Sequence, residues 1–235
     1  MDPDIARRIK AISNVFEVGA PEADYSYIEN LGDGRGYTVT HYGLVSNEPE
    51  LGRVIALHAR SVPDTHLSRY LPFLPPYDTG TDMEKLAGFE DLWQQEVHAF
   101  PSLAHACEMI ADELYFAPAM SSAAHAGLAS AVGCAIFFDT LLQHGGGEDP
   151  DSFGAILARS TEIAGPPASS SEAHFLDTFL EVRRSVLMNP ANTETATVWR
   201  ASVTRVDALS NLLKSNPELA LPIMVESPDV KVALT

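Results

Sequence analysis

Cysteine is nearly absent from this chain, with only Cys107 and Cys134 among 235 residues. That excludes a scaffold stapled by several disulfides, and no Cys/His spacing suits zinc. Both cysteines sit in helix-like apolar surroundings, where buried free thiols are expected. Basic residues are scarce too: 15 Lys and Arg face 32 Asp and Glu, a formal net charge of −17. Such a surface repels nucleic acid and anionic membranes and attracts cations, a polyamine-like polymer included. Acidity for solubility alone is the plainer account, so the charge supports a cationic partner without identifying one. Long apolar runs are missing as well. The longest, such as residues 131–138, fall far short of a bilayer span. The N-terminus shows no apolar stretch of a signal peptide, leaving a cytoplasmic protein or one whose leader has been removed.

What is present is enough apolar material for a sizeable core, 46% of residues, and a strongly helical pattern. Asp2 and Pro3 form a helix start, and Ile5, Ile9, Ile12, Val15 and Phe16 recur at helical spacing. Gly19 and Pro21 end that helix, which puts Glu17 at its C-terminal turn. An acid there faces the negative end of the helix dipole, where a structural role would favour Lys. Residues 33–40, Asp-Gly-Arg-Gly-Tyr-Thr-Val-Thr, read as a turn feeding a strand. Asn47 and Pro49 open another helix, and prolines between 71 and 82 mark a loop. From Met83 onward the pattern is helical: one stripe holds Leu86, Phe89, Trp93 and Val97, another Leu103, Cys107, Ile110 and Leu114. Residues 119–144 read as one helix buried on most sides, ending at three glycines. Asp149-Pro150 opens the next helix. A flexible link at 165–171 and helices over roughly 170–188 and 195–215 complete the expectation of a mainly α chain with a small β element near 34–46.

Few residue patterns point to chemistry by themselves. Asp33-Gly-Arg-Gly lacks the Gly-Lys-Ser/Thr ending of a phosphate loop, and neither Ser152 nor Ser160 has a Gly-x-Ser-x-Gly frame. His58, His66, His98, His105 and His125 are scattered, and read as surface or packing residues. His144, between a buried helix and the glycines, fits a ligand contact or a cation capping the helix end equally well. Asp139, Arg183 and Arg200 lie in apolar helices, so Asp139 is expected to pair with one or both arginines. Glu17 and Asp33, sixteen residues apart, supply the two carboxyl groups that glycoside hydrolysis requires. Among so many acids that pair is weak by itself.

Ordered motifs make it specific. Phe16-Glu17-x-Gly and Tyr25-x-Tyr27-Ile-Glu-Asn-Leu-Gly-Asp33-Gly-Arg-Gly-Tyr-Thr38 resemble the N-terminal signature of the family 46 glycoside hydrolases, the chitosanases. The likeness continues through Tyr70-Leu-Pro, Tyr115-Phe-x-Pro-Ala, Phe138-Asp139-x4-His144-Gly, Asp149-Pro-Asp-Ser-Phe, Phe179-Leu-x-x-Arg183, Leu187-Met-Asn-Pro-Ala-Asn192 and Trp199-Arg200-x-Ser-x-x-Arg205-Val-Asp207. The resemblance implies a two-lobed, lysozyme-like α+β fold with a cleft between lobes. The smaller lobe would span roughly 17–80; the larger would hold 83–235 and the N-terminal helix. It further implies an endo-acting, inverting enzyme that cleaves β-1,4 linkages in chitosan. Glu17 would be the general acid, Asp33 the general base, and Thr38 would hold the attacking water. Tyr27, Arg35, His144 and Asp149 are the implied substrate contacts, and Asp139, Arg183 and Arg200 an implied buried ion-pair network. No cofactor or metal is expected, nor a nucleic-acid or membrane partner. The expected molecule is a monomer acting on a cationic glucosamine polymer, and a polymer substrate suggests an extracellular location.

The segment 39–50 departs from the family pattern. Glu50 stands where the family has an aspartate that holds the sugar amine, while His41, Tyr42, Asn47 and Pro49 have no counterpart. A same-fold hydrolase of another or more acetylated amino-sugar polymer is therefore an alternative, as is a binding protein without chemistry. Intact Glu17, Asp33 and Thr38 speak against the latter.

Overall fold

The computed structural model describes residues 1–147, 149–167, 171–193, 196–228 and 230–235. The chain divides into two compact units: Met1–Glu22 with Tyr115–Thr235, and Ala23–Leu114. Residues 83–114, expected with the larger helical lobe, thus cluster with the β element. Among the described residues no helix is long and apolar enough to cross a membrane.

Among the described residues the first unit is helical apart from one hairpin. Helix α1 (Pro3–Val18) starts as the sequence predicts: the Asp2 carboxylate accepts from Asp4 N, Pro3 occupies the first turn, and Gly19 closes the helix at φ 76°. Its buried face carries Ile9, Ile12 and Val15 and packs against α6 (Ala131–His144). The single helix expected over 119–144 is two, because Gly127 turns left-handed at φ 80° and ends α5 (Ala117–Ala126). Ser130 then caps α6, accepting from Gly133 N. Helix α6 is buried almost all round, with Ile136, Phe137 and Phe138 nearly inaccessible, each contributing about 1.5–3 kcal/mol of apolar burial.

Helix α7 (Phe153–Ala164) is capped by Ser152 rather than opened by Asp149-Pro150. It packs on α8 (Glu172–Met188), where Phe179 meets Phe137 and Phe153 of the core and Phe175 of its own helix. Residues 168–170 of the expected link lie outside the described residues, as does residue 195, where the sequence predicts the last long helix to begin. That last helix is also two, α9 (Ala196–Ala201) and α10 (Val203–Ser215), broken at Ser202. An antiparallel hairpin that sequence reading missed, β4 (Ile223–Glu226) and β5 (Lys231–Leu234), follows.

In the second unit, β1 (Ile28–Asn30), β2 (Tyr37–Val39) and β3 (Leu44–Val45) form an antiparallel sheet in that order. Register places Glu29 opposite Thr38. Helix α2 (Pro49–Ser61) has Glu48 at its N-cap position, one residue beyond the expected Asn47 and without a side-chain capping bond, and packs on α4 (Pro101–Ala111). A 3-10 helix (His66–Phe73) and α3 (Phe89–Ala99) complete the unit. Leu51, Ile55, Leu67, Phe89, Trp93 and Leu103 form its core. The Trp93 indole satisfies its buried N–H on the Tyr25 carbonyl at 3.0 Å.

Candidate active site

Among the sequence-predicted site residues, the first unit carries Glu17, Asp139, His144, Asp149, Arg183 and Arg200, and the second carries Tyr27, Asp33, Arg35, Thr38 and Glu50. Glu17 occupies the last turn of α1 with its side chain 26% exposed. Its Oε1 accepts from Arg205 Nη2 at 2.7 Å. The same nitrogen donates to Asp139 Oδ1 at 2.6 Å, and Asp139 Oδ2 lies 2.7 Å from Arg183 Nη2. Glu17, Arg205, Asp139 and Arg183 therefore form one chain of alternating charge. Asp139 is fully buried, and burial acts against its ionised form; the arginines outweigh that and hold its carboxyl below the usual range. Burial likewise opposes the Arg205 charge, yet Asp139 and Glu17 hold the guanidinium above its ordinary range.

Arg200, the expected third member, is not in that chain. It lies exposed on α9, and its Nε donates to the Met188 carbonyl at 3.0 Å. The break at Ser202 starts a new helix, and α10 is the element that turns Arg205 toward Asp139. His144 is turned into the protein as well. It is 7% exposed, and burial, with Arg183 second, pushes its imidazole down to about 3, so it neither caps α6 as a cation nor offers a sugar a charge. Its Nδ1 donates to the Asp151 carbonyl at 2.8 Å and its Nε2 accepts from Arg183 Nε at 3.3 Å. Both nitrogens are thus used within the protein. Asp149 is exposed, and its Oδ1 accepts from Asp151 N.

In the second unit the Asp33 turn is built by glycine. Gly34 and Gly36 have φ of 84° and 81°, and a Cβ on Gly36 would collide with Ser46 Oγ and the Gly80 carbonyl. Asp33 is exposed and clamped by Arg35: Oδ1 accepts from the Arg35 backbone N–H at 3.0 Å and Oδ2 from its Nε at 2.8 Å. The Arg35 side-chain bond, then its backbone N–H, hold this carboxyl below the usual range. Thr38 is half-buried on β2. Glu29, which sequence reading passed over, faces it across the ladder and accepts from the Tyr27 hydroxyl at 2.7 Å. The i, i+2 spacing of Tyr27 and Glu29 in a strand was the available signal. Glu50 lies half-buried in the first turn of α2. Among the described residues no group of three or more His, Cys, Asp or Glu is placed to hold a metal ion.

The model of glycosyl hydrolase family 46 matches residues 11–223. A chitosanase of Bacillus subtilis (strain 168) is 38% identical over 232 residues, covering 97% of this chain and 83% of that one. This chain belongs to glycosyl hydrolase family 46. It is accordingly a glycoside hydrolase. The crystal structure of the native chitosanase of Bacillus subtilis MY002 superposes with a TM-score of 0.88 at 36% identity, covering 100% of both chains. A glutamate-to-alanine variant of that enzyme, complexed with 6 GlcN, superposes with a TM-score of 0.86 at 35% identity, again over 100% of both.

Within this family 46 chain the atypical 39–50 segment is held from behind. Tyr42 is buried, and its hydroxyl and that of Tyr25 both donate to Glu108 Oε2 on α4, at 2.9 and 2.7 Å. His41 Nδ1 bonds the Asp24 carbonyl at 2.9 Å. These residues buttress the turn after β2. A separate groove of about 630 Å³ between α7 and α8, lined by Glu162, Ile163, His174, Asp177 and Glu181 among others, contains none of the expected site residues.

Proposed function

We propose that this family 46 enzyme hydrolyses β-1,4 linkages within chitosan chains by a single displacement that inverts the anomeric centre. Glu17 is the general acid: with Oε1 held by Arg205, its Oε2 delivers the proton to the leaving glycosidic oxygen. Asp33 is the general base. It takes a proton from a water held with Thr38, while that water's oxygen attacks the anomeric carbon and the C–O bond to the leaving sugar breaks. The base must be ionised at working pH, and the clamp of Arg35 on Asp33 is the observation that carries this assignment. Glu17 is presented from the last turn of α1, its Oε1 bonded to Arg205, which also holds Asp139.

A glucosamine polymer is supported by the bound 6 GlcN of the related chitosanase and by the net charge of −17. Tyr27, 38% exposed, offers a ring for a sugar, and Glu50 a carboxylate for a sugar ammonium. Asp149 is a further contact of that kind. Arg35 serves the sugar mainly through Asp33, which engages its guanidinium. The enzyme acts as an extracellular monomer.

Reducing-end release from highly deacetylated chitosan at mildly acidic pH tests this reading, with Glu17→Gln and Asp33→Asn alongside. Turnover in the wild type that both substitutions abolish supports it. Retained oligomer binding by the inactive Glu17→Gln protein separates loss of chemistry from loss of binding. A folded but inactive wild type, with activity only on acetylated polymer, would favour the alternative substrate that segment 39–50 suggested.

A further inference from the structure

His144 enters none of the steps above, yet it is locked at the end of the charge chain that reaches Glu17. The Asp151 carbonyl oxygen can only accept, so the proton of the neutral imidazole resides on Nδ1, 2.8 Å away. Nε2 then presents a lone pair to Arg183 Nε at 3.3 Å. A buried arginine needs such anchors. Its Nη2 donates to Gln143 Oε1 at 2.5 Å and lies 2.7 Å from Asp139 Oδ2 as an ion pair without a hydrogen bond, and its Nη1 is buried without a partner. Nε is therefore the one remaining point that fixes the plane of the guanidinium.

Burial and the two arginines around the imidazole suit an acceptor and oppose a cation, against the pull of Asp139. Arg183 faces it from α8, Arg205 from α10 and Asp139 from its own helix; Trp199 of α9 meets the ring edge-on at 5.0 Å. Asp151 meets it through its backbone, because the carboxylate is turned to the Ala191 N–H at 2.6 Å.

We infer that His144 is a positioning residue for the catalytic acid: its Nε2 lone pair orients Arg183, which through Asp139 and Arg205 sets the direction of Glu17. This rests on the reading of Glu17 as proton donor. Without the lone pair Arg183 turns from Asp139, Asp139 engages Arg205 more fully, and Arg205 no longer aims the Glu17 carboxyl. The loss falls on the chemical step and not on sugar binding, since both ring nitrogens are engaged within the protein.

Two substitutions separate this from packing. His144→Phe keeps an aromatic ring against Trp199 but has no acceptor; His144→Gln keeps an acceptor for Arg183 and a donor for Asp151 without the ring. Chitosan turnover should show kcat lowered about tenfold or more in His144→Phe with KM within about twofold, and kcat largely restored in His144→Gln. A folded His144→Phe protein with wild-type kcat, or rescue by Phe and not by Gln, overturns the inference. Nitrogen-15 NMR of the wild type needs no variant: a neutral ring protonated on Nδ1 is expected near pH 6, and a proton on Nε2 overturns it. Glu17→Gln is measured beside these. If it stays active, the underlying assignment fails; if it is inactive while His144→Phe is unimpaired, only the positioning role fails.

Discussion

Asp139 in the first unit and Glu96 in the second are buried carboxylates at helix junctions, and they are satisfied in opposite ways. In the first, Asp139 meets two arginines, and the chain of charge continues outward to Glu17. In the second, Glu96, 4% exposed, ends on neutral donors and a histidine. Its oxygens accept from the Thr65 hydroxyl and from His66 N and Leu67 N at 2.8 and 3.3 Å, and His58 Nε2 lies 3.0 Å away. Those bonds cap the 3-10 helix and join it to α2 and α3, so this junction is closed upon structure. A buried charge alone therefore says little about catalysis. What distinguishes Asp139 is that its partner Arg205 has a second carboxylate to hold, at the edge of solvent.

The comparison breaks most visibly at Asp139. Asp139→Asn leaves two buried arginines short of a counter-charge, and a loss of about 3–5 kcal/mol in urea unfolding is expected. Turnover should fall with it even where the protein is folded. Unchanged kcat in a folded variant would show that the chain does not serve Glu17.

Acid should reveal the next effect. Burial, with Arg183 second, pushes the folded imidazole of His144 down to about 3, against 6.5 for the free group. Between those values the unfolded chain binds more protons than the folded one, so stability declines as pH falls through that window, by up to about 1.4 kcal/mol per pH unit. Asp139 has the sign of a depressed carboxylate: its contribution is present above the unfolded value and is lost only as pH falls through the lower folded one. Urea midpoints from pH 7 to pH 4 should therefore slope in the wild type and flatten in His144→Gln.

Glu96→Gln sharpens the contrast from the other side. It should cost about 1–3 kcal/mol of stability while kcat of the folded protein stays within about twofold. Smallest is Arg200→Ala, on an exposed side chain bonded to one backbone carbonyl, with a change within about 0.5 kcal/mol. A loss as large as that from Asp139→Asn would restore Arg200 to the network.

Local chemistry made much of this legible. Asp2, Pro3 and Gly19 delimit α1 as capping physics requires, and that places Glu17 in the last turn. Asp139 and Arg183 pair because a charge amid apolar helix needs a partner. What sequence reading lost was phase and partition. Arg200 and Arg205 sit in one helical pattern, but the turn at Ser202 resets the face, and only packing against α8 and α6 decides which arginine points inward. Gly127 lies within the apolar run 119–144, and nothing local in that run signals the left-handed turn that ends α5. Residues 83–114 are as helical as those after them, so no local signal assigned them to the unit with the sheet. His144 was read by its place at a helix end, whereas its role follows from Arg183, thirty-nine residues away.

The central claim is a single displacement in which water, activated by Asp33, attacks as Glu17 protonates the leaving oxygen. Proton NMR of a fully deacetylated glucosamine oligomer, followed from the first moments after enzyme addition, reads the new reducing end before it mutarotates. The α anomer appearing first from the β-linked substrate is the expected result; the β anomer appearing first would mean retention, and would contradict the assignment of Asp33 as a base acting on water.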